Sequence, residues 1–460
     1  MKHPALLIRG VNWLGDAVMS LPALRRLMEG RDAVIVARNA GYQLYKAFFG
    51  DSLPVLEDVK GFKRRLSLIR TLTGFPLEKA YLLQNSFGAA LIALLSGVKE
   101  RIGYARDARG PLLTGKFKPS PNFLNAHEVF YYLNISAPPG APLPEYSYPS
   151  VPEDLTGDKV SLEGVHEDLP DALKADLVLA CAPGAKFGGA KKAPLELYAR
   201  ALDLVLEERG GGSVLILGGA EERGDAAALR GMIKKGRALD LSGRTSVRQI
   251  TKTLSRTTLL LTNDSGLMHL GAALNIKVLA FFGPTSPITT GPASPGNALV
   301  LRSKPPCAPC FKGECPLKNR VCFNGVSPEE ALEKASRLLE PKSILPEKRA
   351  GIIYAPSPPP ELSALPECRD ILPLPSAAPG DLEELLSREF LDPAFTVLIA
   401  DDLETLKKLN SRVGHTVLSL GEKVPENLVQ DGFLPHMTAP TPGFALAYAR
   451  ELVRRLLSAS

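Results

Sequence analysis

The sequence is poor in the features that mark several classes of protein. It has six cysteines and one tryptophan in 460 residues, and no apolar run reaches the roughly 20 residues that a membrane-spanning helix needs. Hydrophobic residues make up 45% and charged residues 23%, which excludes a disordered, collagen-like or disulfide-dense chain. The chain is too long for one core, so we expect two or three domains.

An export signal is also lacking at the N-terminus. The segment MKHPALLIRGVNWLGD has a short apolar stretch that charge soon interrupts, and no small-residue cleavage pattern follows it. A chain with few cysteines and no such signal is expected in the reducing cytoplasm.

Positive charge is concentrated in the first three-quarters of the chain. Residues 1–345 contain 44 basic and 33 acidic side chains, a net charge of +11, whereas residues 346–460 contain 11 and 16, a net charge of −5. The change of sign predicts a domain boundary, and the basic part predicts an anionic partner: a phosphorylated metabolite, a membrane surface or nucleic acid. Nucleic acid is disfavoured, because no long Lys/Arg tract or basic–aromatic stripe is present.

Short apolar strands alternate with amphipathic helices over residues 1–345. One series runs from PALLIR (4–9) to FGAALIALLSG (87–97), and a second from DLVLACAPG, near residue 176, to KVLAFFGP (277–284). This alternation predicts α/β domains with parallel sheets, and the Pro- and Gly-rich segment 140–160 predicts a connector. We therefore expect two Rossmann-like, doubly wound domains, 1–160 and 161–345, that face a cleft lined by the carboxyl ends of strands.

Residues 346–460 form a third region. Nine prolines lie between 346 and 380, which is unfavourable in helix interiors and typical of a linker. The strands FTVLIADD and HTVLSLG then alternate with three helical stretches. The pattern predicts a small α/β appendage, too short for an independent doubly wound domain.

The loop after the first strand, residues 10–16, could carry chemistry. Its glycines let the backbone approach a ligand closely, and the helix that follows favours negative charge at its N-terminus. Asp16 suits either of two roles, a cap for free N–H groups or a general base on the cleft. The residues of this loop alone favour the cap.

Two loops of the second series suit a diphosphate. The segment 183–192 places three lysines among three glycines after a strand, although not at the spacing of a P-loop. Asp264, Ser265 and Gly266 follow another strand at a helix start, and Gly283-Pro284-Thr285 follows the next. Together these loops predict a nucleotide-diphosphate pocket, whereas His269 taken alone is more typical of a structural histidine.

Four of the six cysteines lie within sixteen residues. Cys307, Cys310, Cys315 and Cys322 have the spacing C-x2-C-x4-C-x6-C. In a reducing compartment the cluster predicts a structural zinc or iron–sulfur site. Because zinc ribbons usually contain two C-x2-C pairs and this segment has one, four reduced thiols remain the alternative.

In combination, these motifs resemble the glycosyltransferase family 9 heptosyltransferases of lipopolysaccharide core assembly, most closely the heptosyltransferase II group. The resemblance covers about residues 4–340 and rests on six segments in order: WLGDAVMSLPAL, LLQNSFGAALIALLSGVKERIGY, PGAKFGGAKKAP, TNDSGLMHLGAAL, FFGPTSP and CAPCFKGECPLKNRVC. It implies a GT-B fold and inverting, metal-independent transfer from ADP-L-glycero-β-D-manno-heptose. The implied acceptor is a lipid-anchored inner core at the cytoplasmic face of the inner membrane.

The resemblance also implies roles for individual residues. It makes Asp16 the catalytic base, in place of the capping role, and assigns Lys191 and Lys192 to the diphosphate. The other implied site residues are Gly184, Asp264, Ser265, Gly266 and His269 on the donor side, and Asn12, Trp13, Gly15, Asn85, Arg101 and Tyr104 on the acceptor side. In two departures from the family pattern, Ala193 stands where tryptophan is frequent and Lys186 where glutamate is common.

The C-terminal region has a resemblance of its own. Residues 397–426 are similar to the last motif of haloacid-dehalogenase phosphatases, notably the heptose bisphosphate phosphatase of the same pathway. That family needs an Asp-x-Asp nucleophile after its first strand, and the candidate strand GIIYAPSPPP has no aspartate. The resemblance therefore implies an inactive remnant.

Two alternatives to heptosyl transfer remain open. One is another GT-B glycosyltransferase that acts on the lipopolysaccharide core, which would share the fold and differ in its sugar contacts. The other is a non-catalytic nucleotide-sugar-binding module, which Asp16 disfavours because such a module needs no carboxylate on the acceptor side.

Overall fold

The computed structural model describes most of the first 340 residues and five strands of the C-terminal region. The described ranges before the C-terminal region are 5–117, 127–136, 148–157, 160–186, 188–294, 297–303 and 305–340. In the described part of the chain, no helix is long and apolar enough to cross a bilayer.

The first domain is built on six parallel strands in the order β3-β2-β1-β4-β5-β6. The strands are β1 (Ala5–Arg9), β2 (Ala33–Ala37), β3 (Val55–Glu57), β4 (Leu77–Leu82), β5 (Glu100–Tyr104) and β6 (Gly115–Phe117). Its helices are α1 (Leu14–Met28), α2 (Asn39–Phe49), α3 (Phe62–Thr73), α4 (Phe87–Leu95) and α5 (Glu128–Ile135). The short α6 (Glu153–Thr156) follows.

The second domain repeats this plan with the order β12-β11-β10-β7-β8-β9. Its strands are β7 (Val178–Ala182), β8 (Ser213–Ile216), β9 (Arg237–Asp240), β10 (Leu259–Asn263), β11 (Lys277–Phe281) and β12 (Ala298–Leu301). Its helices are α7 (Leu169–Ala172), α8 (Leu195–Glu208), α9 (Arg223–Met232), α10 (Val247–Ser255), α11 (Gly266–Ala273), α12 (Pro287–Thr290) and α13 (Pro328–Leu339).

Both sheets have the same topology. Numbered within its own domain, each runs in the order 3-2-1-4-5-6, which is the Rossmann order. The central strands β2, β7 and β10 are buried along their whole length, as expected for apolar strands covered on both faces. The prediction of two doubly wound domains is confirmed, and each has a switch point between its first and fourth strands where a ligand can bind.

The two domains share one core and meet at the N-terminal ends of two helices. A single cluster of buried side chains extends from Leu6 and Ile8 in the first sheet to Val278 and Ala280 in the second. Helix α1 packs against α11. A Cβ atom on Gly266 would lie 2.9 Å from the Leu14 Cβ, so the backbones of the two helix starts touch because residue 266 has no side chain.

The chain joins the second domain near the predicted boundary at residue 160. Arg248 of α10 pairs with Asp154 of α6 at 2.9 Å, and the Lys252 ammonium donates to the Val160 carbonyl at 2.8 Å. Of the predicted connector, residues 140–147, 158 and 159 lie outside the described part. The contacts place α6 against the second domain although it precedes the boundary in sequence.

The C-terminal region contains a third sheet of five parallel strands in the order β14-β13-β15-β16-β17. The strands are β13 (Arg349–Ala355), β14 (Ile371–Pro373), β15 (Leu391–Ala400), β16 (His415–Ser419) and β17 (Met437–Ala439). Within the region the order is 2-1-3-4-5, a doubly wound order.

This sheet corrects two expectations about the C-terminal region. The region was expected to be too short for an independent doubly wound domain. Its sheet instead has five strands in a doubly wound order. Strands β13 and β14 also lie inside the proline-rich stretch predicted to be a linker. Proline is compatible with that position, since Pro373 ends the edge strand β14. The predicted helices, 381–390, 403–414 and 444–458, lie outside the described residues.

Candidate active site

A cavity of about 640 Å³ lies between the two domains, at the carboxyl ends of β1, β7 and β10. The first domain lines it with the loop and first turn of α1 and with residues of α2 and α5. The second domain contributes the loops after β7, β8 and β10 and the starts of α10 and α11. Predicted site residues that line it are Trp13, Gly15, Asp16, Gly184, Lys191, Asp264, Ser265, Gly266 and His269.

Asp16 faces this cleft from the first turn of α1. Trp13 occupies the N-cap position of the helix, and its side chain accepts no capping hydrogen bond. The Tyr132 hydroxyl of α5 donates to Asp16 Oδ1 at 2.8 Å. Burial raises the pKa of the Asp16 carboxyl, while the Tyr132 hydrogen bond and the charge of Lys191 act in the opposite direction. The carboxylate is thus held in place at the cleft with a raised affinity for a proton.

Glu128 is a second acid in the cleft that the sequence analysis missed. It opens helix α5 and lines the cavity together with Asp16. Burial, followed by the negative charge of Asp16, raises the pKa of Glu128 to about 7. No motif surrounds Glu128 and Tyr132 in the sequence, so only the packing of α5 against α1 reveals that they belong to the site.

Lys191 and Asp264 form the ionic centre of the donor side. The Lys191 ammonium lies 2.7 Å from Asp264 Oδ2, and both side chains are largely buried. The hydroxyls of Thr285 and Thr290 donate to the same oxygen at 2.7 and 3.1 Å. Because Asp264 receives three donors, it holds Lys191 at the cleft wall, where an ammonium group can bind a phosphate.

The start of α11 is the second anion-binding element. Ser265 is the N-cap, and its hydroxyl accepts from the Met268 N–H at 3.4 Å. His269 is buried one turn later, and burial lowers its pKa to about 4, so the imidazole is neutral near pH 7. Among the described residues its Nδ1 has no hydrogen-bond partner. The helix N-terminus and a neutral imidazole can both donate to an oxyanion.

Gly15 allows the catalytic loop to reach this helix. A Cβ atom at Gly15 would lie 3.0 Å from His269 Cδ2. Such a distance is tighter than side chains normally accept, so Asp16 is adjacent to the donor side because residue 15 is glycine.

Lys192 is placed differently from the expectation. Its ammonium pairs with Asp225 of α9 at 2.7 Å, and the residue does not line the cleft. Its contact with the diphosphate stays a prediction. In the same loop Lys186 lines the cleft and pairs with Glu221 at 3.0 Å, both groups being more than half exposed.

Three residues expected on the acceptor side do not line the cleft, because their polar atoms bind inside the first domain. The Asn85 amide donates to the Tyr131 hydroxyl at 2.7 Å. The Arg101 guanidinium donates to the Leu112 carbonyl at 2.7 Å, and the buried Tyr104 hydroxyl donates to the Tyr131 carbonyl at 2.8 Å. These bonds stabilise the first domain, and a role of the three residues in acceptor binding stays a prediction. Asn12 lies in a neighbouring cavity.

The cysteine-rich segment, residues 305–323, packs on two loops of the donor side. The Ala190 N–H donates to the Gly313 carbonyl at 2.9 Å, and the Phe311 N–H donates to the Pro284 carbonyl at 2.8 Å. Gly188, with φ 144°, touches Gly313 so closely that a side chain would collide with its backbone. The segment thus holds the loop that carries Lys191.

The thiols of this segment are the predicted metal ligands. Cys322 is buried, and its pKa is raised by burial and by the three other cysteines. In the described part of the chain, no three metal-ligating side chains are grouped so that they could hold an ion. Metal binding by the cysteines therefore stays a prediction.

Comparison with known sequences points to one family. The profile of glycosyltransferase family 9 (heptosyltransferase) matches residues 65–321. Lipooligosaccharide heptosyltransferase 2 of Campylobacter jejuni is 26% identical over 345 residues, which cover 71% of this chain and 96% of that protein. Lipopolysaccharide heptosyltransferase 2 of Escherichia coli is 25% identical over 354 residues, or 73% and 98% of the two chains.

Solved structures of heptosyltransferases have a fold similar to that of this chain. The structure of E. coli ADP-heptose LPS heptosyltransferase II is similar with a TM-score of 0.57 at 25% identity, covering 73% of this chain and 98% of that one. E. coli heptosyltransferase WaaC with ADP has a TM-score of 0.54 at 16% identity, covering 72% and 99%, and supports the fold. The GT-B prediction is confirmed.

Proposed function

The chain belongs to glycosyltransferase family 9, and on that basis we propose that it is a heptosyltransferase II-like enzyme. It transfers a heptosyl group from ADP-heptose to the inner core of lipopolysaccharide. The C. jejuni and E. coli relatives that carry this name match the chain over 96% and 98% of their length, and the cleft contains the groups that the reaction needs.

The observation that carries the proposal is that Asp16 and Lys191 line one cavity from opposite domains. Asp16 accepts the proton of the acceptor hydroxyl as the hydroxyl oxygen forms a bond to the anomeric carbon. The bond from that carbon to the diphosphate oxygen breaks, and ADP departs with the electron pair. Lys191 and the N-terminus of α11 stabilise the negative charge of the leaving diphosphate.

We further propose that the reaction inverts the anomeric centre and needs no metal ion. A single displacement inverts the configuration at the anomeric carbon when the base and the residues that bind the diphosphate lie on opposite sides of the sugar. We propose that Asp16 and Lys191 are placed in this way. Lys191, His269 and the free N–H groups of α11 supply the charge and hydrogen bonds that a metal ion supplies in other transferases.

Transfer of radiolabel from ADP-heptose to a panel of truncated core acceptors tests this function. We expect label in at least one lipopolysaccharide core acceptor and inversion in the product. Binding of ADP-heptose without transfer to any acceptor would identify a non-catalytic module. Transfer of a different sugar to the same acceptors would identify another GT-B activity.

We propose that the enzyme acts at the cytoplasmic face of the inner membrane, as a peripheral protein, because its acceptor is lipid-anchored. Helix α3 supports this placement. It carries four basic and no acidic residues, with Phe62 84% exposed and Leu66 also exposed. The neighbouring α4 exposes Phe87 and Leu95. Basic residues beside exposed apolar side chains are typical of surfaces that bind anionic lipids.

Sedimentation with lipid vesicles tests the membrane surface. Binding should require phosphatidylglycerol in phosphatidylcholine vesicles and should weaken in Phe62→Ser. Leu317→Ser removes another exposed apolar side chain, from the second domain, and serves as the control. Equal binding by both variants, or binding to neutral vesicles alone, would contradict the role of α3.

A further inference from the structure

A second cavity, of about 230 Å³, lies within the first domain. Residues that follow four neighbouring strands line it: Asn12 after β1, Arg38 after β2, Asp58 after β3, and Gln84 and Ser86 after β4. The carboxyl ends of parallel strands are where such sheets bind ligands. The cavity shares no lining residue with the cleft, but Asn12 precedes Trp13 of the cleft in the same loop.

Positive charge dominates this cavity. The guanidinium groups of Arg9, Arg38 and Arg65 lie 3.0, 2.7 and 3.5 Å from the carboxylate of Asp58. Among the residues that line the cavity, Asp58 is the acidic one, so one negative charge faces three positive charges. Arg9 and Asp58 are almost fully buried, and an uncompensated charge at such a place is costly.

Four buried polar atoms at this cavity lack hydrogen-bond partners. The donors Arg9 Nε and Arg65 Nε and the acceptors Asn12 Oδ1 and Asp58 Oδ1 form no hydrogen bond within the described part of the chain. Most buried polar groups in proteins are hydrogen-bonded, and an unpaired one at a cavity indicates an absent ligand or water. A bound group with anionic oxygens would satisfy the two arginine donors.

The start of α4 adds further positive potential. Gly88 and Ala89, in its first turn, line the cavity, and no acidic residue occurs in that turn. Arg65 Nη1 lies 3.9 Å from the position of a Cβ atom on Gly88, so a cation stands at the positive end of a helix dipole. This arrangement favours an anion between the two, beyond the partial compensation that Asp58 gives Arg65.

We propose that this cavity binds an anionic substituent, a carboxylate or a phosphate, of the acceptor saccharide. The proposal rests on the proposed function and names the feature of the acceptor that the enzyme recognises. Planar guanidinium groups bind such oxyanions through paired hydrogen bonds. Asn12 and Asp16 are four residues apart, at most about 14 Å along the chain. One acceptor can therefore place its anionic group here and its hydroxyl at Asp16.

Arg65 offers the least disruptive test. Arg9 and Arg38 also donate to backbone carbonyls and so stabilise the fold, whereas Arg65 is partly exposed and contacts Asp58 at 3.5 Å. Arg65→Gln removes the charge and Arg65→Lys keeps it without the paired geometry. Arg26→Gln, at an exposed arginine of α1, removes an equal charge from the same domain and is the control.

Steady-state transfer to a water-soluble, deacylated core acceptor provides the first readout. We expect Arg65→Gln to raise the acceptor KM about tenfold or more, since hydrogen bonds to charged groups are worth roughly 1.5–3 kcal/mol. Arg65→Lys should give a smaller increase. The KM for ADP-heptose should stay at the wild-type value in both, and Arg26→Gln should change neither constant.

Chemically altered acceptors identify the anionic group. One acceptor has its carboxylates methyl-esterified, and another has its phosphates removed. The alteration that raises the wild-type KM and abolishes the difference between wild type and Arg65→Gln identifies the bound group. The proposal is overturned if Arg65→Gln has the wild-type acceptor KM. It is also overturned if the KM of Arg65→Gln is raised by the same factor for every neutralised acceptor.

Inorganic phosphate provides a readout that does not depend on transfer. Added to the ADP-saturated protein, it should raise the melting temperature of wild type and Arg26→Gln but not of Arg65→Gln. If no acceptor is labelled while phosphate still discriminates these variants, the proposed function fails and the anion site stands. If phosphate stabilises all three proteins equally or none of them, the anion site is overturned.

Discussion

At the scale of single residues, the two carboxyl groups in the cleft, Asp16 and Glu128, have different surroundings. Asp16 receives a hydrogen bond from Tyr132, which favours its charged form, whereas Glu128 is next to that charge and has a pKa near 7. Burial raises the pKa of both groups, but the Tyr132 hydrogen bond and the charge of Lys191 lower that of Asp16, whereas the negative charge of Asp16 raises that of Glu128. The geometry supports Asp16 as the base, because it receives the stabilising hydrogen bond.

Asp16→Asn should abolish transfer and leave ADP affinity unchanged. An amide cannot accept the proton of the acceptor hydroxyl, so transfer stops. The residues that bind the diphosphate belong to the other domain, so ADP affinity is unaffected. Initial rates and calorimetric titration with ADP measure the two effects. Asp171→Asn, at an exposed carboxylate, is the control. Loss of ADP affinity, or activity near the wild-type rate, would disprove the role of Asp16 as base.

Lys191→Ala should weaken ADP binding by roughly 1.5–3 kcal/mol, the range for hydrogen bonds to charged groups. Lys192→Ala is the matched control, since the adjacent ammonium pairs with Asp225 outside the cleft. Calorimetry on both variants separates the two lysines. An equal loss in Lys192→Ala would mean that the whole loop, rather than one ammonium group, determines affinity.

The titration of Glu128 should make the protein less stable as pH rises. Folding raises its pKa from the ordinary value of 4.5 to about 7, so the folded state holds a proton that the unfolded state releases between these values. The contribution is fully present below about pH 4.5 and is lost as pH rises through 7. Glu128→Gln should flatten this part of a urea-unfolding profile, whereas Glu329→Gln, at an exposed site, should not.

At the scale of elements, the position of the donor loops follows from the sequence and that of α5 does not. Strands β7 and β10 are apolar runs that end in Gly, Asn or Asp, so their loops had to lie at one edge of a parallel sheet. Strands β3 and β6 escaped prediction because each has three residues and lacks an apolar run. Helix α5 reaches Asp16 through tertiary packing alone, and local patterns do not encode such a contact.

The cysteine-rich segment should couple metal content to nucleotide binding. If its four thiols hold zinc or iron, removing the metal frees residues 305–323, which contact the loop of Lys191 through Gly313. Chelation should then lower both the melting temperature and the ADP affinity, and Cys310→Ser should abolish the response. Purified protein that is free of zinc and iron by elemental analysis, yet stable and active, would contradict a metal site.

At the scale of the whole molecule, the described lining of the cleft comes from the first two domains. Among the residues that the structure describes, those that line the cleft lie between residues 13 and 290, and both six-stranded sheets end before residue 302. The alternating strands and helices made this organisation predictable from the sequence. The third sheet was underestimated because short strands such as β14 and β17, of three residues each, give weak patterns.

Truncation after residue 340 should leave a soluble and active transferase. The change of charge sign and the prolines that follow are typical of a boundary between separable regions. Melting curves and transfer rates of the truncated and full-length proteins provide the measurement. A large decrease in melting temperature would instead show that the third sheet stabilises the second domain by packing against it.

The full-length protein should also fail to hydrolyse heptose bisphosphate with magnesium. Strand β13 ends at Ala355 and a proline follows, where the phosphatase family needs an aspartate. Measurable turnover would show that the region is an active phosphatase.

The contact between Gly15 and Gly266 limits how the two domains can move. A Cβ atom on Gly266 would lie 3.1 Å from the Gly15 nitrogen, so the backbones already touch and the gap cannot become narrower there. A rotation of one domain against the other can use this contact as its pivot, and atoms next to a pivot move least. Entry of a bulky acceptor would widen the distant rim of the cleft while Asp16 keeps its place beside His269.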